Sequence, residues 1–140
     1  MPWVVDTCVV IDVGEDDPEF GERSARVLDR RAREGLLLCP VTTIELAPAF
    51  GGDRAALRTF LRHLGVQDAE PWLEEDTAAA FHGWWRYIAA RRSRRVKKKR
   101  PIADILIGAF ACRFHGLITR NPADFAPWFP RLRLIDPTRS

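Results

Sequence analysis

Residues 3–13, WVVDTCVVIDV, decide the fold, because they form a short valine-rich apolar run interrupted by Asp6. Such a run predicts a buried strand that ends near Asp6. A buried carboxylate is costly unless it is paired or binds a cation. Ligands of parallel sheets bind beyond the carboxyl ends of the strands, so Asp6 is a candidate functional residue. Alternatively, Asp6 could cap the turn that follows it. Asp12, near the end of the same run, is expected to face solvent in a turn.

Alternating apolar segments extend this pattern along the chain. A turn and helix start are expected over 14–18. The further predicted strands are residues 36–39, 65–69, 117–119 and 132–135. The predicted helices are residues 19–34, a segment from Thr42 or Thr43 to Phe50, and residues 53–64, 73–93 and 102–115. Strands that alternate with helices indicate an α/β fold with a mainly parallel sheet. We expect one domain over residues 1–140.

The composition excludes several classes of protein. The chain has 140 residues, 46% of them hydrophobic and 29% charged, which is typical of a globular protein and argues against wholesale disorder. No apolar run reaches the roughly 20 residues that a membrane span needs. No basic segment precedes the N-terminal apolar run, so a secretory signal is not expected. The 3 cysteines form no CxxC pair, which argues against a disulfide framework or a zinc finger. We therefore expect a cytoplasmic protein.

Positive charge is concentrated in one segment. Residues 91–100, RRSRRVKKKR, carry 8 of the 22 basic residues and no acid. Outside this segment acids outnumber basic residues by 19 to 14. Localised positive charge favours binding of a polyanion such as nucleic acid. The alternatives are a solvated helix face or a disordered loop, although repulsion between charges four residues apart disfavours the helix face.

Three further acids stand at predicted helix starts or strand ends. Glu45 also fits a capping box with Thr42, which by itself is the favoured interpretation. Asp104 follows Pro101 in the first turn of a helix that is otherwise almost wholly apolar, where an acid favours the helix dipole. Asp124 follows a strand and could be an ordinary turn residue.

Together with Asp6, these acids suggest a metal site. In a doubly wound fold such positions gather at one edge of the sheet, and converging carboxylates repel one another unless cations lie between them. Mg²⁺ and Mn²⁺ prefer oxygen ligands. A pair of such ions can activate water and stabilise the leaving oxygen in phosphodiester cleavage. The basic segment ends just before Asp104, so it could hold a nucleic-acid backbone beside the metals.

Four segments, in this order, resemble the PIN-domain ribonucleases: VVDTCVVIDV, TTIEL, ADILIGAFA and LITRNPADF. The likeness spans nearly the whole chain and is closest to the VapC-type toxins of toxin–antitoxin pairs. It implies a PIN-like α/β/α sandwich whose central, mainly parallel sheet is flanked by helices. It also implies a divalent-metal-dependent endoribonuclease, using Mg²⁺ or Mn²⁺, that serves as the toxin of a type II pair.

The resemblance assigns roles to individual residues. The catalytic and metal-binding acids are Asp6, Glu45 and Asp104, with Asp124 completing the set directly or through water. Thr7 and Thr119 match small hydroxyl positions near the metals. Asn121 stands where many members have an acid, and Cys8 where they often have Ser or Asn. The residues expected to bind RNA phosphates are Arg91, Arg92, Arg94, Arg95, Lys97, Lys98, Lys99 and Arg100.

The resemblance also implies a small antitoxin of the VapB type that covers the site, often with a basic side chain, and a homodimer. Two alternatives remain open. A non-catalytic nucleic-acid-binding module on the same fold is favoured by Asn121 and Cys8. A phosphohydrolase of the haloacid dehalogenase type also begins with a strand-end aspartate, but it needs a DxD pair, and Cys8 stands two residues after Asp6.

Overall fold

Five short parallel strands form the centre of the molecule in the order β3-β2-β1-β4-β5. The structure, a computed structural model, describes residues 1–92 and 101–139. The strands are β1 (Trp3–Val5), β2 (Leu36–Leu37), β3 (Val66–Gln67), β4 (Gly116–Ile118) and β5 (Leu134–Ile135). The chain builds the sheet outward from β1 to β3 and then returns to the other side of β1 for β4 and β5. The order therefore reverses beside β1, which is where ligands bind in doubly wound sheets.

Helices cover both faces of the sheet. They are α1 (Thr7–Gly14), α2 (Gly21–Arg31), α3 (Pro40–Glu45), α4 (Arg54–Leu64), α5 (Glu74–Arg92) and α6 (Ile102–Ala111). Short 3-10 helices occupy Ala32–Glu34, Pro48–Phe50 and Pro122–Asp124. Val5 packs with residues of α1, α2 and α4, whereas Val4 packs with α6, because successive strand residues point to opposite faces. The predicted alternation of strands and helices is confirmed. Among the described residues, no helix has the length and apolarity to cross a membrane.

The main local difference from the sequence prediction is α1. The sequence predicts a turn and helix start only at residues 14–18, but the helix begins at Thr7, directly after the strand ends at Val5. The Asp6 side chain accepts a hydrogen bond from the Thr7 amide (2.8 Å), which caps the helix. Val9 and Val10 are then fully buried in the core. Burial of these β-branched residues outweighs their modest preference for strands.

Helix α3 also begins earlier than predicted. Pro40 occupies its first turn, where proline fits because its missing N–H needs no partner there. The helix ends at Glu45 and a separate 3-10 helix, Pro48–Phe50, covers the remainder of the predicted segment. Glu45 thus lies at the carboxyl end of α3, so the predicted capping box with Thr42 is wrong.

Helices α5 and α6 pack against each other in antiparallel directions. Asp76 in the first turn of α5 pairs with Arg113, just after α6 (2.9 Å). A Cβ atom at Gly83 of α5 or at Gly108 of α6 would lie 2.6 Å from the Phe129 ring, so the ring fits only because both positions lack a side chain. This packing places the amino end of α6 at the carboxyl edge of the sheet.

Candidate active site

Asp6 lies at the carboxyl end of the central strand and is 6% exposed. Its Oδ1 accepts from the Thr7 amide (2.8 Å), and its Oδ2 accepts from Thr119 Oγ1 (2.7 Å) and Cys8 Sγ (3.4 Å). The Asp6 amide donates to the Ile118 carbonyl (2.9 Å), which continues the β1–β4 pairing past the strand ends. The Asp6 carboxylate is therefore held by residues that follow two neighbouring strands, Thr7 after β1 and Thr119 after β4.

The electrostatic surroundings of Asp6 favour a bound cation. Burial raises the pKa of the Asp6 carboxyl, and the negative charge of Asp104 raises it further. Hydrogen bonds from Thr119, Thr7 and Cys8 act in the opposite direction and lower this pKa. A buried carboxylate beside a second carboxylate is electrostatically costly, and a divalent cation between them would relieve the cost.

Glu45 joins this region through Thr7. The Thr7 hydroxyl donates to Glu45 Oε1 (2.6 Å) and also lies within hydrogen-bonding distance of the buried Thr42 hydroxyl (3.2 Å). Glu45 is exposed to solvent, so its second oxygen can receive a further ligand. The structure thus brings Asp6, Thr7 and Glu45 together, and it adds Thr42, which sequence reasoning assigned to a helix cap.

The turn after β4 contacts Asp6 through Thr119. The Asn121 amide donates to Thr119 Oγ1 (3.0 Å), the same hydroxyl that donates to Asp6. Asp124 closes the 3-10 helix Pro122–Asp124, and its amide donates to the Asn121 carbonyl (3.0 Å). Thr119, Asn121 and Asp124 are therefore linked by hydrogen bonds within one turn after β4.

Sequence reasoning missed an ion pair that holds this turn in place. Asp12 is 4% exposed and is not the solvent-facing residue expected from the sequence. Arg120 donates to it twice, from Nε (2.8 Å) and Nη2 (3.2 Å), and its guanidinium lies 4.1 Å from the centre of the Phe20 ring. Because Arg120 stands between Thr119 and Asn121, the pair ties their turn to α1 and to Phe20, directly before α2. The apolar run around Asp12 was the available signal, since a buried acid needs a partner.

The carboxylates do not form a closed cage. Among residues 1–92 and 101–139, no group of three or more acidic, histidine or cysteine side chains is arranged to hold a metal ion. Mg²⁺ does not require such a cage, because it commonly binds one or two carboxylates and keeps several waters. The carboxylate and hydroxyl oxygens at the site therefore fit this ion, whereas the Cys8 thiol is protonated and donates to Asp6.

The predicted RNA-binding segment is only partly described. Arg91 and Arg92 form the last turn of α5, and Arg91 Nη1 donates to the Tyr87 hydroxyl (3.2 Å). Because α5 and α6 are antiparallel, this end of α5 lies toward the same edge as Asp104. The other predicted phosphate ligands lie outside the described residues; they are Arg94, Arg95, Lys97, Lys98, Lys99 and Arg100.

The thiol of Cys8 does not provide a nucleophile. Burial, and next the charge of Asp6, raise the pKa of the Cys8 thiol to about 12. The thiol therefore stays protonated near neutral pH and acts as a weak donor to Asp6. A cysteine nucleophile needs the opposite shift, toward the thiolate.

Cys112 is an exposed residue whose sulfur is partly covered by its neighbours, so its thiol allows a direct test of how burial raises a thiol pKa. Burial of its sulfur raises the pKa of Cys112 to about 11. Alkylation by iodoacetamide should therefore accelerate about tenfold per pH unit from pH 8 to 10, because the thiolate fraction is still rising there. Mass spectrometry of the modified peptide measures the rate, with a short unfolded peptide containing the same cysteine as control. A plateau of the native rate below pH 9 would contradict the shift.

Solved structures that share this fold include the following two. One is "VapBC2 from Rickettsia felis bound to a DNA fragment from their promoter", with a TM-score of 0.65, 17% identity, and coverage of 97% of this chain and 98% of that chain. The other is FitAcB from Neisseria gonorrhoeae, with a TM-score of 0.67, 19% identity and 100% coverage of both chains. No protein-family model and no curated protein matches the sequence. At these identities the likeness establishes the fold, and the predicted α/β fold with a central parallel sheet flanked by helices is confirmed.

Proposed function

We propose that the chain is a divalent-metal-dependent endoribonuclease that acts as the toxin of a type II toxin–antitoxin pair. The observation that carries the proposal is the buried Asp6 carboxylate, fixed by Thr7 and Thr119 and repelled by Asp104. Fold alone does not define an activity, so this site has to supply the argument. The ordered motifs of the sequence name the same residues independently.

Asp6, Glu45 and Asp104 would hold Mg²⁺ or Mn²⁺, with Asp124 completing the coordination directly or through water. When bound, such a cation polarises a phosphodiester and lowers the pKa of water for in-line attack. The chain's own contribution is positioning: Thr119 fixes the orientation of Asp6, and Thr7 fixes Glu45. Ligands held by outer hydrogen bonds of this kind bind metals more tightly.

Substrate binding is assigned to the basic segment, residues 91–100. Its charge suits the phosphates of RNA, which sequence-independent contacts would hold beside Asp104. Arg91 and Arg92 lie at the end of α5 that is directed toward this edge. The choice of bases would come from other contacts.

A small antitoxin of the VapB type is the proposed partner, and a second copy of the chain is proposed to complete a homodimer. One structural neighbour is named VapBC2. That name combines VapB and VapC, the antitoxin and toxin types that the sequence resemblance implies. A carboxylate-lined edge also attracts a basic side chain, which an inhibitory partner could insert there.

The experiment that tests the activity is cleavage of total cellular RNA by the purified chain. Reactions contain Mg²⁺, Mn²⁺ or EDTA, and we expect discrete fragments that disappear with the chelator. An identical fragment pattern in EDTA would contradict a metal-dependent nuclease. Intact RNA with every metal tested would overturn the catalytic proposal.

The alternative is a non-catalytic nucleic-acid-binding module. It is favoured by Asn121 in place of an acid and by the open arrangement of the carboxylates within the described part of the chain. RNA binding without cleavage would support this alternative. Restoring an acid by Asn121→Asp then tests whether a missing ligand explains the inactivity.

Both functions predict RNA binding that weakens steeply with salt. Replacing the eight basic residues of segment 91–100 by glutamine should reduce the slope of log K against log[salt], by about 0.7 for each phosphate that the protein no longer neutralises. Fluorescence anisotropy with a labelled single-stranded RNA measures the slope. A matched control replaces exposed arginines of α2, Arg23, Arg26 and Arg30, and should leave the slope unchanged. An unchanged slope in the first variant would exclude this segment as the RNA-binding site.

Thr119→Val is predicted to weaken metal binding. The substitution keeps the shape of a fully buried side chain but removes the hydroxyl that donates to Asp6 Oδ2. Loss of a hydrogen bond to a metal-binding side chain typically lowers metal affinity by about 10–100-fold. Calorimetric titration with Mn²⁺ measures the effect, and Thr119→Ser, which retains the donor, should bind within about threefold of the wild type. Equal affinity for the valine variant would show that Thr119 does not position a metal ligand.

A further inference from the structure

A cleft at the amino edge of the sheet is lined by two arginines and, among the described residues, by no acid. Arg131 and Arg133 lie just before β5, so the cleft is at the end of the strands opposite the proposed metal site. Its volume is about 500 Å³, and Phe114 and Leu132 give it an apolar wall. Three other clefts in the described part of the chain each include an aspartate. This cleft therefore differs from them in carrying uncompensated positive charge.

The guanidinium of Arg133 is oriented by a neutral side chain. Its Nη1 lies 3.1 Å from Nε2 of His115, which also lines the cleft. Because a guanidinium can only donate, Nε2 is the acceptor, and the ring hydrogen of His115 is on Nδ1, which lies 3.3 Å from Glu34 Oε2. An acidic partner would neutralise Arg133. The imidazole instead orients the arginine and leaves its positive charge available to a ligand.

His115 is in turn held by Trp3 and Glu34. Its ring stacks on Trp3, with 4.4 Å between the ring centres, and Trp3 is 4% exposed. Glu34 accepts from Trp3 Nε1 (2.7 Å) and from Arg31 Nη1 (2.9 Å). These hydrogen bonds, Arg31 first and then Trp3, lower the pKa of the Glu34 carboxyl, so it stays ionised near neutral pH. Arg31 compensates the charge of Glu34, and His115 keeps a fixed orientation toward Arg133.

The backbone of Arg133 is fixed as well, through Gly116. A Cβ atom at Gly116 would lie 2.4 Å from the Arg133 carbonyl oxygen and 2.6 Å from the Trp3 ring, so only glycine allows this close approach. The same carbonyl accepts from the Leu117 amide (2.9 Å), next to the β4–β5 pairing. Both the main chain and the guanidinium of Arg133 are therefore positioned before any ligand binds.

We propose that this cleft binds the phosphate monoester of a nucleotide, either free or at the end of an RNA strand. Such a group carries about 1.5–2 negative charges at neutral pH, which matches the two guanidinium groups. Arginine suits phosphate because its planar set of donors can bind two oxygens at once. The apolar wall of Phe114 and Leu132, and a volume in the range of small-molecule sites, favour a ligand that adds a sugar and a base to the phosphate.

The test is calorimetric titration of the full chain with AMP, adenosine and inorganic phosphate. EDTA is present throughout, so that no metal ion at the proposed metal site can bridge to a phosphate. We expect AMP to bind at least about tenfold more tightly than adenosine or phosphate, each of which lacks one part of the ligand. Arg131→Gln and Arg133→Gln should each weaken AMP binding about tenfold or more, because charge-assisted hydrogen bonds are lost. Arg26→Gln, at an exposed arginine of α2 paired with Glu22, is the matched control and should bind AMP like the wild type.

Two further measurements examine the positioning of Arg133 and the location of the ligand. His115→Phe keeps a ring that can stack on Trp3 but removes the acceptor for Arg133, so AMP should bind about fivefold more weakly. Thermal melting confirms that each variant is folded. Cys112 lines the same cleft, so saturating AMP should slow its alkylation by iodoacetamide in the native chain, whereas adenosine should not.

Two short RNAs of one sequence, with a terminal phosphate or a terminal hydroxyl, distinguish the two sources of the phosphate. Their internal phosphates are the same, so the basic segment contributes equally to both. Tighter binding of the phosphorylated RNA that is lost in Arg133→Gln would assign the cleft to a strand end, and equal binding would assign it to a free nucleotide. The proposal is overturned if AMP binds no more tightly than adenosine or inorganic phosphate, if it does not bind at millimolar concentration, or if both glutamine variants bind it like the wild type.

This binding site does not depend on the proposed function, because the cleft and Asp6 lie at opposite edges of the sheet and binding is measured without metal. A chain that cleaves RNA but does not bind AMP would refute only the nucleotide site. Conversely, a chain that binds AMP as described but cleaves no RNA with any metal would refute only the nuclease.

Discussion

Asp6→Asn is expected to reduce RNA cleavage by more than about a hundredfold. Loss of a residue that only hydrogen-bonds to a metal ligand already lowers metal affinity or activity by about 10–100-fold, and Asp6 is proposed to bind the metal directly. The fold should survive the change. Asparagine is isosteric with aspartate, and its Oδ1 can still accept from the Thr7 amide. The Thr119 hydroxyl can rotate to accept from the new amide group, so the buried polar atoms stay paired.

The measurement pairs two readouts on the same preparation: initial rates of fragment formation in Mn²⁺, and the urea midpoint. Stability should remain within about 1 kcal/mol, since removal of a buried negative charge offsets the altered hydrogen bonds. Asp29→Asn, at an exposed position of α2, is the matched control and should cleave at the wild-type rate. Full activity of Asp6→Asn would refute the assignment of the site.

Asp76→Ala should have the largest effect on stability. Asp76 is 1% exposed, and its carboxylate accepts from Arg113 Nε (3.0 Å), Arg113 Nη2 (2.9 Å) and the Leu73 amide (2.9 Å). Removing one partner of a buried ion pair costs about 3–5 kcal/mol because the other charge stays desolvated. We expect about 3 kcal/mol, since the remaining Arg113 can still reach Glu70 (3.5 Å).

Urea denaturation followed by circular dichroism gives the free energy of unfolding for this variant. Asp29→Ala is the control for loss of an exposed acid and should change it by less than about 0.5 kcal/mol. The double variant Asp76→Ala/Arg113→Ala should lose less than the sum of its single variants, because the two side chains interact directly. If Asp76→Ala lowers the free energy of unfolding by less than about 1 kcal/mol, the Asp76–Arg113 ion pair does not make the predicted contribution to stability.

The sequence predicted the strand–helix alternation and the end of β1 because both depend on local signals. Apolar runs bounded by glycine, proline or acids located the strands, and helical spacing located α2, α4 and α5. It failed at α1, where valines and a cysteine resemble a strand but follow a capping aspartate. Whether these residues form a strand or a helix depends on the core residues that other parts of the chain pack against Val9 and Val10.

In the proposed site, too, some features follow from local sequence signals and others only from tertiary packing. The motifs name the acids of the proposed site, but the contact between Thr7 and Glu45 joins residues 38 positions apart and has no local signal. The Asp12–Arg120 pair joins residues 108 positions apart, so a buried acid could be mistaken for a solvent-facing one. Glu45 fitted a capping box in sequence, and only the earlier start of α3 removed that possibility. Pairings of this kind are decided by tertiary packing.

The position of β1 at the centre of the sheet also determines when the site can exist. During synthesis β2 is made soon after β1, but β4 and Thr119 emerge much later, because Thr119 lies 113 residues beyond Asp6. Until then one edge of the first strand is unpaired and is open to chaperones or to neighbouring nascent chains. A ribosome that is still translating this message therefore carries a polypeptide in which the Asp6 carboxylate has not yet acquired its Thr119 donor.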